Sequence, residues 1–461
     1  MDEHVGRGNE GRAVMKIVVV GGDAAGMTAA SQAKRLLRDE ASLTVIEQQQ
    51  WTSYSACGIP YWIAGDTDGP EELVARSPEQ HRANGIDVRT GMLATRLDPA
   101  SSCVTAEPVA GGPAQTFDFD HLVIATGARP VTPPIPGFEL AQRVHTLGDG
   151  QAAIDALEGR HPRRAVVMGA GYVGLEMAEA AVSRGLHTTV VDAAPEPMMT
   201  LDPDMGERVR RLMVERGVTM RMSEPVTAIE SGPDGLVALV RTSGGEYPAD
   251  IVFAGLGVRP RTELAAEAGL ALGGHGGLLT DPQQRVLGCD NIWAGGDCTE
   301  VVNRLTGSRM CVPLGTHANK QGRVIGLNLA GRDAQFPGVL GTAITKFADV
   351  EISRTGLGES DPAAVDLVAA TVETGTRAGY MPGDSPMWVK MTAARGSGLL
   401  RGAQIVGGPG AGKRIDAVAT ALWAGMTVAE VVQLDLAYAP PFSPVWDPVQ
   451  IAARALLSRL D

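Results

Sequence analysis

The sequence predicts an α/β fold that contains two parallel-sheet units, and three observations support this prediction. The chain has 461 residues, which is long enough for two or three domains. Hydrophobic residues make up 44% and aromatic residues 4% of the chain, so a mainly aliphatic core is expected. Above all, one succession of elements occurs twice: an apolar strand, a glycine-rich turn, an alanine-rich helix, and a second strand that ends in an acidic residue.

The first of these units spans residues 16–47. An apolar run at residues 16–20 predicts a strand that leads directly into the glycine-rich turn. The alanine-rich segment after the turn predicts a helix to Arg38, and the following strand ends at Glu47. This turn departs from the pattern G-x-G-x-x-G, because Asp23 occupies the position of the second glycine.

The second unit spans residues 165–192 and keeps the full glycine pattern. Residues 165–168 predict a strand, and the turn at residues 169–174 contains all three glycines. A helix is predicted from this turn to about Arg184, followed by a strand that ends at Asp192.

Both units therefore predict Rossmann-like dinucleotide-binding sites. Glycines allow a tight turn and a close approach of the backbone to a pyrophosphate, and the helix N-terminus offers free N–H groups to the phosphates. The terminal carboxylates can accept hydrogen bonds from ribose hydroxyls. The candidate residues are Gly21, Gly22, Ala25, Gly26 and Glu47 in the first unit, and Gly169, Gly171, Gly174 and Asp192 in the second.

Two further strands are predicted to end beside the first turn. Residues 120–124 lead into Ala125, Thr126 and Gly127, and residues 291–294 lead into Gly-Gly followed by Asp297. The small residues permit the close approach of a flat ligand, and the Asp297 carboxylate can accept a hydrogen bond from a hydroxyl. The alternative role for Asp297 is a helix N-cap.

Composition disfavours several kinds of partner. The formal charge is −13, and an acidic surface repels a phosphate backbone, so no nucleic-acid partner is expected. The five cysteines lack the spacing of a disulfide scaffold or a zinc site, so we expect no metal and a cytoplasmic location. No apolar run is long enough to span a membrane. Residues 1–14 lack a secretory signal and are predicted to be a disordered extension.

Taken together, the two glycine turns, Glu47, residues 125–127 and Asp297 resemble the pyridine nucleotide–disulfide oxidoreductases, a family of flavoproteins. The resemblance implies a glutathione-reductase-like fold, FAD as one cofactor and NAD(P)H as the other, and a homodimer. It implies the following domains: FAD-binding at 15–145 and 258–335, NAD(P)H-binding at 146–257, and an α+β dimerisation domain at 336–461.

The resemblance also assigns residues to the nicotinamide site. Tyr172, in the second glycine turn, resembles the aromatic gate over that site, and Glu176 resembles a residue that contacts the nicotinamide. The residues after Asp192 supply no cation for a 2′-phosphate, and its carboxylate repels one. NADH is therefore expected rather than NADPH.

Cys57 indicates the branch of the family. Disulfide reductases of this family place a C-x4-C pair here, but Trp62 stands where the second cysteine is expected. A single sulfur cannot form an intrachain disulfide, but it can form a mixed disulfide with a small thiol or a sulfenic acid. The N–H groups of a neighbouring helical turn are expected to lower its pKa. The alternative is that Cys57 is a buried small hydrophobic residue.

The single-cysteine branch contains CoA-disulfide reductases, polysulfide reductases, NADH oxidases and NADH peroxidases. The oxidases and peroxidases carry a histidine in the first glycine turn, where this chain has Ala24. Tyr380 and Tyr438 resemble two tyrosines of CoA-disulfide reductases that reach from one subunit toward the cysteine of the other. A phenol can protonate a leaving thiolate. The alternative is that these tyrosines only pack at a dimer interface, and Phe442 stands where relatives often have another tyrosine.

The expected function is that of an FAD-dependent reductase, which passes electrons from NAD(P)H through flavin and Cys57 to a small disulfide, most simply CoA disulfide. Ser53 and Asn319 resemble positions that touch the pantetheine arm of CoA, and Arg76 is a candidate partner of its phosphates. The alternatives are an NADH oxidase, a polysulfide or sulfur reductase, and an electron-transfer flavoprotein of the ferredoxin-reductase type.

Overall fold

The computed structural model describes residues 14–460, so the predicted disorder of the N-terminal extension concerns residues outside the described range, apart from Val14. The strands and helices follow in chain order, segment by segment. The first segment contains β1 (Met15–Val20), β2 (Ala41–Glu47), β3 (Asp87–Thr90), β4 (Met92–Asp98), β5 (Cys103–Pro108), β6 (Gln115–Asp118), β7 (His121–Ile124), β8 (Ala128–Pro130), α1 (Ala24–Leu37), α2 (Ile59–Ala64) and α3 (Pro78–Ala83). The second contains β9 (Gln142–Arg143), β10 (Arg164–Met168), β11 (His187–Val191), β12 (Thr219–Arg221), β13 (Val226–Ser231), β14 (Val237–Thr242), β15 (Glu246–Pro248), β16 (Ile251–Ala254), α4 (Leu147–Arg160), α5 (Tyr172–Ser183) and α6 (Pro203–Glu215).

The chain then returns to the first domain before it enters the last one. The returning segment contains β17 (Val258–Pro260), β18 (Leu278–Leu279), β19 (Ile292–Ala294), β20 (Thr299–Val302), β21 (Arg309–Met310), α7 (Glu263–Glu267) and α8 (Gly315–Leu329). The C-terminal segment contains β22 (Ala343–Phe347), β23 (Val350–Gly356), β24 (Leu367–Gly375), β25 (Pro386–Ala394), β26 (Leu400–Gly407), α9 (Ile415–Ala424), α10 (Val428–Val432) and α11 (Pro448–Leu457).

The first parallel sheet has the strand order β19-β7-β1-β2-β3. Both faces of β1 are covered: Ile17 and Val19 pack in a core with α1 and α8, while Val18 and Val20 pack in a core with β4 and β5. This explains why β1 is apolar throughout rather than alternating, as is usual for parallel sheets buried on both faces.

The second parallel sheet repeats the first, with the order β12-β11-β10-β16-β9. In each sheet the strand before the glycine turn lies in the middle, and the strand that ends in the acidic residue lies next to it. Each sheet is accompanied by a three-stranded antiparallel sheet, β4-β5-β6 in the first domain and β13-β14-β15 in the second. The predicted duplication is therefore confirmed.

The chain crosses between the two domains through an antiparallel pair, β8 with β17. The strand β9 pairs with β16 in the second sheet, although the predicted boundary left residues 142–145 in the first domain. Two residues of a short edge strand carry too weak a periodic signal to be recognised in the sequence.

Helices α1 and α8 pack very closely, which explains the small residues of α1. A Cβ atom at Gly322 in α8 would lie 2.3 Å from the carbonyl oxygen of Ala25. Larger residues at this crossing would separate the helices and displace the turn at the start of α1.

The C-terminal domain is an antiparallel sheet with the order β22-β23-β26-β25-β24, covered by helices α9, α10 and α11. This agrees with the predicted α+β class. Among residues 14–460, no helix is long and apolar enough to cross a membrane.

Candidate active site

The first glycine turn forms a cradle that side chains would fill. A Cβ atom at Gly26 would lie 1.9 Å from the oxygen of Gly21, and one at Gly21 would lie 2.1 Å from the oxygen of Ala125. Gly21 also has a φ of +105°, which favours glycine. Asp23, in contrast, has an extended backbone with φ −112° and ψ −151°, so the missing glycine imposes no backbone strain.

The two acidic residues that end the second strands make matching contacts. Glu47 accepts a hydrogen bond from the N–H of Gly22 in the turn, at 2.6 Å, and Asp192 accepts one from the N–H of Ala170, also at 2.6 Å. The other oxygen of each carboxylate accepts from the residue two positions further on, at 2.7 and 2.8 Å respectively. Because each carboxylate oxygen can accept a second hydrogen bond, both remain able to bind a ribose hydroxyl.

Three carboxylates converge on the first cradle. Burial, together with the charges of Glu47 and Asp297, raises the pKa of Asp23 to about 7. Burial also raises the pKa of Asp297 to about 6. The Asp23 carboxylate does not cap its own helix but accepts a hydrogen bond from the N–H of Tyr54, at 3.1 Å. The uncapped start of α1, the cradle and the free acceptors fit the predicted FAD, whose pyrophosphate would meet the helix N-terminus.

We expect Asp23 to make the affinity for FAD depend on pH. A pyrophosphate placed next to an ionised Asp23 is repelled, so we expect FAD to bind more weakly as the pH rises through 7 and Asp23 loses its proton. Asp23→Asn removes the charge but keeps an acceptor for Tyr54, so its FAD dissociation constant should vary less between pH 6 and 8.5. Flavin fluorescence titrations measure both constants, and equal slopes in the two proteins would refute the role of Asp23.

The second glycine turn repeats the first. A Cβ atom at Gly174 would lie 2.0 Å from the oxygen of Gly169, and one at Gly169 would lie 2.5 Å from the oxygen of Gly255. Gly171 has an extended backbone and immediately precedes α5. Gly255 thus corresponds to Ala125 of the first domain. It was not predicted, although the segment Gly-Leu-Gly after β16 parallels Ala-Thr-Gly after β7.

The predicted nicotinamide residues lie on the first turns of α5 and touch other segments. The hydroxyl of Tyr172 lies 3.3 Å from that of Thr200, and Glu176 accepts a hydrogen bond from Thr345 of the C-terminal domain, at 3.0 Å. Burial raises the pKa of Glu176 to about 7. The C-terminal domain therefore helps to build the site predicted for NADH.

Residues 125–127 join the two halves of the first domain. The Thr126 hydroxyl donates to the oxygen of Arg261 at 2.6 Å, and the N–H of Arg261 donates to the oxygen of Gly127 at 2.9 Å. The charge of Arg261 in turn opposes the effect of burial, which raises the pKa of Glu47. Sequence reasoning did not identify Arg261.

Cys57 lies in the 3₁₀ turn Ala56–Gly58, which leads into α2, and its thiol is free and exposed. The alternative of a buried hydrophobic residue is therefore wrong. The pKa of Cys57 is raised, first because the surrounding protein partly desolvates the sulfur, and second because of the charges of Glu176 and Asp297. The expected lowering of its pKa is also wrong, because these effects outweigh the N–H groups of the turn. Glu176 belongs to the second domain and Asp297 to the first, so Cys57 lies where the two domains face each other.

Tyr61 lies close to Cys57 and was not identified from the sequence. The Lys346 ammonium lies 5.4 Å from the centre of the Tyr61 ring and forms an ion pair with Glu179. Partial burial, followed by the charges of Glu176 and Glu179, raises the pKa of Tyr61 to about 12, so its phenol keeps its proton at neutral pH. Tyr61 follows Cys57 by four residues and lies in α2, the helix into which the turn of Cys57 leads.

The two C-terminal tyrosines are brought together. Tyr380 lies between β24 and β25, Tyr438 lies between α10 and α11, and the N–H of Ala378 joins the two loops by donating to the oxygen of Pro440 at 3.1 Å. Slight desolvation, the Tyr380 charge and a hydrogen bond with Tyr380 raise the pKa of Tyr438. Tyr380 is 75% exposed and Tyr438 48% exposed, as expected for side chains that reach another subunit.

The three predicted substrate residues have contacts within the protein. Ser53 lies 2.9 Å from the buried ring of His81, Asn319 accepts a hydrogen bond from Thr28 at 2.8 Å, and Arg76 is exposed. Their role in substrate binding remains a prediction. Among residues 14–460, no cluster of three or more His, Cys, Asp and Glu side chains is arranged to hold a metal ion.

Most of the described chain matches one known family. Residues 15–322 match the family "Pyridine nucleotide-disulphide oxidoreductase", and residues 342–448 match the dimerisation domain of the same family. A relative from Pyrococcus furiosus, named NAD(P)H sulfur oxidoreductase (CoA-dependent), is 37% identical over 96% of this chain and 99% of its own length.

Two solved structures have the same fold. The NAD-dependent persulfide reductase of A. fulgidus is 37% identical, with a TM-score of 0.91 over 96% of this chain and 83% of the other. The reduced CoADR-RHD of Bacillus anthracis is 31% identical, with a TM-score of 0.92 over 98% of this chain and 82% of the other. The predicted fold, family and cofactors are therefore confirmed. The chain belongs to the pyridine nucleotide–disulphide oxidoreductases and is an FAD-dependent enzyme that takes electrons from a nicotinamide dinucleotide.

Proposed function

We propose that this enzyme reduces sulfur–sulfur bonds of coenzyme A derivatives, CoA disulfide and CoA persulfide, through a mixed disulfide on Cys57. The observation that carries the proposal is the free, exposed thiol of Cys57, placed beside carboxylates of both dinucleotide-binding domains. The printed names of the relatives, a CoA-dependent sulfur oxidoreductase and a persulfide reductase, support this substrate class.

The chemistry at Cys57 has two steps. The Cys57 thiolate attacks one sulfur of the substrate, so that the Cys57–sulfur bond forms, the substrate S–S bond breaks, and the first thiolate leaves with a proton from a phenol. An electron pair derived from NADH then breaks the mixed disulfide, the second thiol leaves, and the Cys57 thiolate is restored. Tyr380 and Tyr438 of a second subunit are the proposed proton donors. Tyr61, from the same subunit as Cys57, would contact the bound substrate.

The residues of the two cradles orient the cofactors. Gly21, Gly26 and Glu47 would hold the pyrophosphate and ribose of FAD, and Asp297 would accept a hydrogen bond from a hydroxyl of the same cofactor. FAD, when bound, supplies the two-electron chemistry that connects NADH with the sulfur of Cys57. Tyr172 and Glu176 would orient the nicotinamide and exclude water from it.

Anaerobic turnover of NADH against several acceptors tests the proposal. CoA disulfide, CoA persulfide, hydrogen peroxide and a protein acceptor such as ferredoxin are compared at equal concentration, and oxygen uptake is measured separately. We expect the CoA derivatives to give the fastest turnover, with release of free thiol. Peroxide or oxygen as the preferred acceptor would replace the proposal with an oxidase or peroxidase, and ferredoxin with an electron-transfer flavoprotein.

We further propose a preference for NADH. Asp192 accepts two backbone hydrogen bonds, and its charge would face the ribose of the nucleotide. Arg221, on the neighbouring strand, stacks over Tyr247, 5.7 Å from the centre of the ring. We expect kcat/KM for NADH to exceed that for NADPH at least about tenfold, equivalent to about 1.4 kcal/mol. Equal use of both nucleotides would contradict this.

The double variant Asp192→Ala/Ala193→Arg should reverse the preference. It removes the carboxylate that repels a 2′-phosphate and adds a cation that can bind it. Ala193→Arg alone is the matched control, because it adds the cation but keeps the carboxylate, and should change the preference much less. Steady-state kinetics with both nucleotides measure the change, and an unaltered preference in the double variant would show that specificity lies elsewhere.

A further inference from the structure

Arg414, at the start of α9, binds both loops that carry the C-terminal tyrosines. One guanidinium nitrogen donates to the oxygen of Thr376 at 2.8 Å and to the oxygen of Phe442 at 2.6 Å. A second nitrogen forms an ion pair with Asp447 at 2.6 Å. Thr376 precedes Tyr380 by four residues and Phe442 follows Tyr438 by four, so a single side chain fixes both segments.

The Arg414 contact is shielded from solvent. The Arg414 side chain is 15% exposed and the Asp447 side chain 10% exposed, so the ion pair is weakly screened by water and salt. Asp447 is itself fixed, because it caps the start of α11 and accepts a hydrogen bond from the N–H of Val449 at 2.9 Å. A planar guanidinium can bind two carbonyls and a carboxylate together, whereas a lysine ammonium lacks this fixed fork.

Two contacts other than those of Arg414 also join the loops that carry the tyrosines. One is the backbone hydrogen bond from Ala378 to Pro440, and the other is the hydrogen bond between Tyr438 and Tyr380, whose side chains are both exposed. Without Arg414, the distance between the two phenols would depend on that one backbone contact and on a contact between two exposed side chains.

We infer that Arg414 is a positioning residue, which holds the phenols of Tyr380 and Tyr438 at a fixed distance from each other. Both phenols can then reach the leaving thiolate at the active site of the partner subunit. This inference rests on the proposed function, because it matters only if the phenols act on the leaving thiolate. Arg414 does not touch the substrate and acts through the backbone of the two loops.

Arg414→Lys tests the inference. We expect turnover with CoA disulfide to fall at least tenfold, while the rate of flavin reduction by NADH, measured by stopped flow, changes less than twofold. Light scattering should still show the same oligomer. Arg395→Lys is the matched control: Arg395 lies in the same domain in an exposed ion pair with Asp366, and this variant should leave both rates unchanged. The inference would be overturned if Arg414→Lys lost the oligomer while Arg395→Lys kept it, or if the turnover of Arg414→Lys with CoA disulfide were unchanged.

Coupling to the tyrosines separates the inference from the function on which it rests. In the Tyr380→Phe/Tyr438→Phe background, Arg414→Lys should cause little further loss, because the groups it positions are absent. An equal tenfold loss in that background would show that Arg414 acts elsewhere. Full activity of Tyr380→Phe/Tyr438→Phe would overturn the role of the phenols, and with it the inference.

Asp447→Asn provides a second variant if Arg414→Lys does not fold. Val449 and Arg414 donate to different oxygens of the Asp447 carboxylate, so the single carbonyl oxygen of asparagine can keep the contact with Val449, while the charge that fixes the guanidinium is lost. We expect a smaller loss of disulfide turnover, about threefold, again with unchanged flavin reduction by NADH. Unchanged turnover in Asp447→Asn would count against the inference in the same way.

Discussion

Cys57→Ser should lower the reduction of CoA disulfide by several orders of magnitude while leaving the protein folded and FAD bound. The serine hydroxyl can neither accept nor resolve a mixed disulfide, so it cannot replace the sulfur of Cys57. Serine is nearly isosteric, and Cys57 is exposed, so neither the fold nor the FAD cradle should change. Steady-state turnover with CoA disulfide and stopped-flow reduction of the flavin by NADH measure the two effects separately.

The matched control for this variant is Cys103→Ser. Cys103 is also a free cysteine but begins β5, in the antiparallel sheet of the first domain. Its replacement should leave turnover unchanged. A Cys57→Ser protein that reduced CoA disulfide at a near-normal rate would remove Cys57 from the mechanism and favour an electron-transfer flavoprotein.

Mixing two inactive proteins should restore activity if the tyrosines act across subunits. Cys57→Ser lacks the sulfur, Tyr380→Phe/Tyr438→Phe lacks the phenols, and a mixed dimer of the two contains one complete site. Equal amounts that mix at random should recover about one quarter of the wild-type activity, because half of the dimers are mixed and one of their two sites is complete.

The mixing experiment needs proof that mixed dimers form. Two different affinity tags allow the mixed dimer to be purified and its activity to be measured directly. No recovery in purified mixed dimers would show that the phenols act within their own subunit or not at all. The position of Tyr61, beside the residues that surround Cys57, offers the alternative donor in that case.

The sequence predicted the two nucleotide-binding units accurately, because their physical requirements are local. A tight turn needs glycine where a Cβ would strike a carbonyl, as at Gly26, and the strand that ends in Glu47 must lie next to the turn to reach Gly22. These requirements recur at fixed spacings in one short segment. Asp23 departs from this pattern, because it occupies the position of the second glycine. Its backbone is extended and accommodates a side chain without strain.

Contacts between distant segments could not be read from the sequence. The proximity of Cys57 to Glu176, which helps to raise the pKa of its thiol, depends on how the two domains face each other. Arg414 was likewise unremarkable in the sequence, because its partners lie on two segments that are distant from each other along the chain. The strand β9 was missed because two residues carry no periodicity.

The most direct test of the central claim is the mass of the protein during a single turnover. Enzyme that contains Cys57 as the free thiol and the flavin in its oxidised form, freed of NADH, is mixed with one equivalent of CoA disulfide per subunit under anaerobic conditions and quenched in acid. The proposed mechanism predicts that one CoA thiol is released per subunit and that one CoA is attached through a disulfide to the peptide that contains Cys57. It also predicts that NADH, added before the quench, removes this adduct. Release of CoA without an adduct, or an adduct on a different cysteine, would contradict it.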